Sequence, residues 1–226
     1  SDLALREHLL TEAEADYERA LFLNEELGET PNIARANANL GHLAYLRGDF
    51  AAAEALLAAA VATFRDVGDA SATSSALQNL ANTANLQNKT EEALTHLEEA
   101  IAISRENDLI DDLLHALLSQ VVSLIDLQRL DEAMEVATEV VELGQQHDFA
   151  ALVSQALYML GGVAYLKEDY PAAAGYLLTA LDQTTVDDMP ELHAEIGNFL
   201  ASSLAKAGRY PEAMAIQAGY DSFVEK

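Results

Sequence analysis

The sequence predicts an all-α chain, a solenoid of antiparallel helical hairpins, on three observations. Similar segments recur every forty residues, apolar residues within each follow helical spacing, and turn-forming residues cut each segment into two helices. The segments are LGHLAYLRGDFAAAEALL, LANTANLQNKTEEALTHL, QVVSLIDLQRLDEAMEVA, LGGVAYLKEDYPAAAGYL and LASSLAKAGRYPEAMAIQ. Three columns run through them in one register. One holds Ala53, Ala93, Ala133, Ala173 and Ala213; a second holds Ala44, Ala84, Leu124, Ala164 and Leu204. The third, Gly41, Ala81, Val121, Gly161 and Ala201, is mostly small, which lets neighbouring helices approach closely.

Taken in order, the elements begin with a single helix over 2–28. The first hairpin lies near 32–69. Leu40, Leu43 and Ala44 share a face of its first helix, and Ala53, Leu57, Ala60, Val61 and Phe64 share a face of its second. Gly48-Asp49 supplies the turn between them, with Asp49 suited to an N-cap, and Gly68-Asp69 ends the unit. The second hairpin, near 70–108, turns at Asn88-Lys89 and ends at Asp108. The third, near 109–148, departs furthest from the pattern. Gln120 stands where Leu40, Leu80, Leu160 and Leu200 stand, and Asp126 where Leu46, Leu86 and Leu166 stand. A buried Gln120 would need hydrogen-bond partners, so either a local polar site or a small shift of the helix is expected. The fourth, near 149–188, turns at Glu168-Asp169, with Asp169 as N-cap and Pro171 in the first helical turn. Asp187-Asp188-Met189-Pro190 leads into the fifth, near 189–226, which turns at Gly208-Arg209 and places Pro211 early in its second helix. No low-complexity linker interrupts the series, so a single domain over 1–226 is expected.

Composition agrees. Half of the 226 residues are apolar, enough for a continuous core, and tryptophan is absent while prolines number four. A lone hairpin of this length buries too little apolar surface to stand alone, but stacked hairpins share one core. Twelve Lys and Arg oppose 38 Asp and Glu, a formal net charge of −26. Phosphate backbones and anionic lipid surfaces are repelled by such a chain, whereas a basic partner is attracted. No apolar run is long enough for a transmembrane helix, and the opening residues show no secretory signal. Cysteine is absent, which excludes disulfides and thiolate metal sites. A cytoplasmic location is expected.

Catalytic chemistry finds no support. The histidines His8, His42, His96, His115, His147 and His193 form no HExxH motif and no pair four residues apart. Close carboxylates such as Glu91-Glu92 and Asp111-Asp112 fall near helix starts, where negative charge favours the exposed N–H groups. Gly161-Gly162 belongs to a helix-packing column and does not form a phosphate loop. No enzyme activity, cofactor or metal is expected.

Asn39-Leu40-Gly41-His42-Leu43-Ala44-Tyr45, followed by Gly48-Asp49-Phe50-Ala51-Ala52-Ala53, resembles the tetratricopeptide repeat signature: a Leu-Gly pair in helix A, an aromatic after the turn and an alanine early in helix B. Leu160-Gly161, Tyr170 and Ala173 repeat it, and Tyr210 and Ala213 match its second half. The forty-residue unit exceeds the usual 34. It is similar to the long repeats of bacterial transcription activators with helical sensor domains, Rap-type peptide-sensing regulators and spindle-orientation adaptors. The resemblance implies a right-handed superhelix whose first helices line a ligand groove.

Mapped on this chain, the groove would show Arg35, Asn39, His42, Gln78, Asn79 and Asn82 early, and Leu118, Val122, Tyr158, Met159, Tyr165 and Phe199 later. The amides would pair with peptide backbone at one end, and apolar pockets would anchor side chains at the other. The family's carboxylate clamp needs several groove cations, whereas the equivalent faces here offer only Arg35 and Lys206. A neutral or basic protein or peptide partner is therefore expected, with no nucleic acid and no membrane. The expected role is a scaffold, as the sensor or adaptor part of a bacterial signalling or transcription regulator. The alternative is a structural module that forms homo-oligomers through its terminal repeats, since the N-terminal segment lacks a complete hairpin of its own, the last helix lacks a capping helix, and Gln217 stands where Leu57, Leu97 and Leu177 stand.

Overall fold

A computed structural model describes the backbone of residues 2–184 and 189–224, and the side chains of 7–184 and 189–218. The described residues form eleven α-helices and no strand. They are α1 (Asp2–Leu27), α2 (Thr30–Arg47), α3 (Phe50–Val67), α4 (Ala70–Leu86), α5 (Thr90–Glu106), α6 (Ile110–Asp126), α7 (Leu130–Gln146), α8 (Ala150–Leu166), α9 (Tyr170–Gln183), α10 (Pro190–Lys206) and α11 (Tyr210–Val224). These are the helices of the expected hairpins; Asp187 and Asp188 of the fourth return lie outside the described residues. The chain divides into two compact units, Ser1–Ser119 and Gln120–Lys226, with the division inside α6.

A shorter period than forty governs the backbone. Residues 28, 48, 68, 88, 108, 128, 148, 168 and 208, each twenty or forty from the last, all have positive φ. Each begins the turn that closes one helix and opens the next. At Gly48 (φ +81°) the Gly48 N–H donates to Tyr45 O at 2.9 Å and the Asp49 N–H donates to Ala44 O at 2.9 Å, the pairing of a Schellman cap. The Asp49 carbonyl then accepts from Ala53 N at 3.0 Å, so the residue that ends one helix starts the next. The same pairs recur at Asn88-Lys89 and Glu168-Asp169. Asp49, Asp69 and Asp169 also accept through their side chains from Ala52, Ala72 and Ala172 N, each at 3.1 Å, as N-caps.

Glycine fills some of these left-handed positions, but Gln128 (φ +59°) and Glu168 (φ +61°) carry a Cβ there. The left-handed helical conformation costs a Cβ-bearing residue about 1 kcal/mol or more, less for Asn and Asp. Glu168→Gly is therefore expected to raise stability by about 0.5–1 kcal/mol after the glycine's own entropy loss, measured by urea denaturation. An unchanged or lower midpoint would contradict this account of the turns.

In the first unit the core is built from the inner faces of α2 to α5. Leu57, Phe64, Leu77 and Leu97 are buried within it. In the second unit Leu157, Leu160, Leu177, Ile196 and Leu200 play the same part. The small column does what its composition implies. A Cβ on Gly41 would lie 2.8 Å from Leu57 Cγ, and one on Gly161 would lie 2.7 Å from Leu177 Cγ. Both distances fall below van der Waals contact, so glycine sets how closely α2 meets α3 and α8 meets α9. The divergent third hairpin needs no special site. Gln120 is half-buried, as Leu40 is, whereas Leu80, Leu160 and Leu200 are buried, and Asp126 is exposed, as Leu46, Leu86 and Leu166 are.

Polar contacts near the surface tie the C-terminal ends of α2, α4 and α8 back to α1, α3 and α7. Arg47 Nη1 meets Glu14 Oε2 at 2.5 Å, Gln87 Nε2 donates to Glu54 Oε2 at 3.4 Å, and Lys167 Nζ meets the Asp131 carboxylate. Arg47, Gln87 and Lys167 occupy one column. Lys89 Nζ adds a contact to Glu54 Oε2 at 3.1 Å, and these two donors hold the Glu54 carboxyl below the usual carboxylate range. Exposed pairs of this kind each contribute about 0–1 kcal/mol. They fix register more than they add stability.

Candidate functional site

In the first unit, α2 and α4 run as successive first helices of two hairpins, and a cleft of about 400 Å³ lies between them. Arg35, Asn39 and His42 come four and three residues apart, which places them on one stripe of α2. Ala72, Ser75, Ala76 and Asn79 form the facing stripe of α4, and buried Phe64 of α3 contributes to the lining. The cleft thus combines an apolar lining with polar walls.

Each polar wall residue has a definable state. Arg35 Nη2 stands 3.6 Å from Asp69 Oδ2, and Asp69 is fixed in turn by capping Ala72 N. The His42 ring stacks on Tyr45 with centroids 5.9 Å apart and planes 17° apart. The side-chain amides of Asn39, Asn79 and Asn82 make no hydrogen bond to another described residue, so their donors and acceptors face solvent or a ligand. Gln78 differs. Its Nε2 donates to Ser74 Oγ at 3.3 Å and to Asp112 O at 3.2 Å. It belongs to a polar seam in which the Ser74 and Ser104 hydroxyls meet at 2.8 Å and Ser71 donates to Asp112 Oδ2 at 2.7 Å. The expectation that Gln78 faces a ligand is corrected: its amide nitrogen is committed to joining α4 with α6.

Leu118 requires the same correction. At 4% exposure it is a core residue, because its side chain points into the packed interior and not across a groove. Val122, on the next turn of α6 and in the second unit, is 42% exposed.

The other expected residues of the second unit gather on one surface. Tyr158 and Tyr165 of α8 flank Phe199 of α10, with ring centroids 5.8 and 5.2 Å from it. Gly162 lies between the two tyrosines on α8, and a Cβ added there would approach Phe199 Cε1 to 3.8 Å. Tyr170 of α9 meets Tyr165 edge-on at 5.2 Å. Met159 is half-buried beside this cluster in sequence. Burial, followed by the charge of Glu195, raises the Tyr158 phenol above the ordinary tyrosine range.

Ser75, Phe64 and Tyr170 were not anticipated from sequence. Ser75 was findable, since it occupies the column of Arg35; Phe64 was read only as core. Among the described residues, no group of three or more His, Asp or Glu side chains is placed to hold a metal ion, and no helix is long and apolar enough to cross a membrane. Lys206 is exposed in the last turn of α10.

Two stretches match models of the tetratricopeptide repeat, over residues 32–106 and 118–188, together more than half of the chain. No curated protein sequence matches. Among solved structures, the chain is similar to BtubC (BKLC) from P. vanneervenii, with 20% identity and TM-score 0.78, covering 94% of this chain and 92% of that one. It is similar to a Rap protein complexed with Competence and Sporulation Factor, with 17% identity and TM-score 0.67 over 96% of this chain and 64% of the Rap chain. A Signal Transduction ATPase with Numerous Domains carrying a tetratricopeptide repeat sensor, from Pyrococcus horikoshii, matches with 17% identity and TM-score 0.72, over 90% of this chain but 30% of its own length. At such identities the likeness concerns the fold alone. With the forty-residue register, the hairpins and the two matched stretches in agreement, the chain belongs to the tetratricopeptide repeat family.

Proposed function

We propose that this chain is a non-catalytic scaffold that binds a protein or peptide segment, and that the α2–α4 cleft of the first unit is one place where it does so. The observation that carries the reading is the pair of unpartnered amides, Asn39 and Asn79, on opposite walls of a cleft of about 400 Å³ lined also by Phe64. An extended backbone presents alternating N–H and C=O groups, and an amide side chain can answer both. Asp69 and Asp112 lie near the cleft walls, and the chain's net charge is −26, so a neutral or basic segment fits better than an acidic one. The Rap and sensor-bearing structures support a role as the sensor or adaptor part of a signalling or transcription regulator, since one is complexed with Competence and Sporulation Factor and the other, a signal transduction ATPase, has a tetratricopeptide repeat sensor.

The experiment is selection of a displayed random-peptide library on the immobilised chain, repeated on Ser75→Trp, which fills the cleft from an exposed position. Enriched peptides are expected to be neutral or basic and to lose about tenfold or more in affinity for the variant. Peptides that bind both forms equally would move the site elsewhere.

A second reading, self-association through a terminal repeat, is favoured by one observation. Tyr210 and Met214 of α11 are 65% and 73% exposed beside a second cavity of about 400 Å³, whereas Tyr170 is half-buried and Ala174 fully buried at the equivalent places. Light scattering over a dilution series decides it: a mass that stays at one chain at all concentrations removes this reading.

A further inference from the structure

We propose that the aromatic surface formed by Tyr158, Tyr165 and Phe199, together with the Glu195 carboxylate, recognises the guanidinium of an arginine side chain on a partner. The inference rests on the scaffold reading above, but it uses the second unit and none of the cleft residues of the first.

Tyr158 and Tyr165 stand 5.8 and 5.2 Å from Phe199 and are inclined to it by 69° and 56°, so the three half-buried rings form an angled cluster with faces turned in different directions. Phe199 packs on α8 between the two tyrosines, over Gly162, where an added Cβ would meet Phe199 Cε1 at an ordinary contact distance of 3.8 Å. Ring faces carry negative electrostatic potential, so they attract a cation placed over them, and the weakly hydrated planar guanidinium stacks better than a compact ammonium.

Charge then selects sign. Glu195 sits one helical turn before Phe199 on α10, hence on the same face, and is exposed. Its charge reaches the cluster, because it helps raise the Tyr158 phenol. A carboxylate at the rim can fork to the guanidinium N–H groups while the rings hold its plane. An anionic or purely aliphatic side chain would meet repulsion or leave Glu195 unused.

The test uses a short peptide, acetyl-Gly-Ser-Arg-Ser-Gly-amide, against the same peptide with citrulline in place of arginine, which keeps the shape and removes the charge. Ring resonances of Tyr158 and Tyr165 are followed by NMR. The arginine peptide is expected to shift them and to bind about fivefold or more tightly than the citrulline peptide. Glu195→Gln is expected to lower that preference by about threefold, and Phe199→Leu to abolish it. Because Glu195 is exposed, its variant keeps the test valid even if Phe199→Leu disturbs packing. Equal binding of the two peptides, or an arginine preference untouched by Glu195→Gln, overturns the proposal. Ser75→Trp should leave the arginine response intact. Peptides that bind the first-unit cleft while the arginine probe fails would sink this inference alone.

Discussion

Leu177→Ala is expected to cost about 2–5 kcal/mol of stability, the range for deleting a fully buried leucine. Leu177 has no exposed surface, and its Cγ, Cδ1 and Cδ2 all crowd the site where a Cβ on Gly161 would stand, at 2.7, 3.3 and 2.9 Å. That geometry makes a second, sharper expectation. Gly161→Ala in the native background forces those atoms apart, an overpacking cost of about 1–3 kcal/mol that outweighs the helix-forming gain of alanine. On the Leu177→Ala background the crowding atoms are gone, and the same Gly161→Ala change becomes favourable by up to about 1 kcal/mol. The double-mutant cycle should therefore show coupling of at least about 1 kcal/mol, read from urea denaturation of the four proteins. Strict additivity would mean that glycine at this column is not there for close packing. The second hairpin shows the other solution: Ala81 and Leu97 share one buried cluster, so alanine is accommodated where the local packing allows it.

The larger functional effect is expected from Asn39→Ala combined with Asn79→Ala. Both amides line the first-unit cleft, and neither has an internal hydrogen bond to lose. Stability should therefore change little, about 0.5 kcal/mol or less, as for surface substitutions. Affinity for a library-selected peptide should fall about tenfold to a hundredfold, because each removed amide leaves backbone groups of the ligand without a partner. Calorimetric titration separates the two effects. The control is Gln78→Ala, which should behave in the opposite way, since Gln78 Nε2 bonds Ser74 and the Asp112 backbone across α4 and α6. It is expected to cost about 1 kcal/mol of stability and leave peptide affinity unchanged.

The fold was legible because stacking repeats the same steric demand every forty residues. Gly41 and Gly161, or Ala53 through Ala213, stand in register because each meets an equivalent neighbour. The twenty-residue step of the turns was harder to see. Its signal is a backbone conformation, and Gly48, Asn88, Gln128 and Glu168 share a positive φ without sharing chemistry. Which helix carries each residue expected in the groove was legible, but not which face of the helix it occupies. Arg35, Asn39, His42 and Asn79 do line one cleft, and Tyr158, Tyr165 and Phe199 do meet. Leu118 and Gln78 share one column with each other and with Ala38 and Tyr158, yet the first is core and the second a cross-helix bond. Which side of a first helix faces its neighbour depends on rotation by a fraction of a turn, and helical spacing alone does not fix it that finely.

Binding in the first-unit cleft is the claim on which the functional account turns, and backbone amide shifts on adding a library-selected peptide test it most directly. The largest shifts are expected at Asn39, His42, Ser75 and Asn79. Shifts confined to the outer faces of α3 and α5, with those four positions silent under saturating peptide, would contradict it.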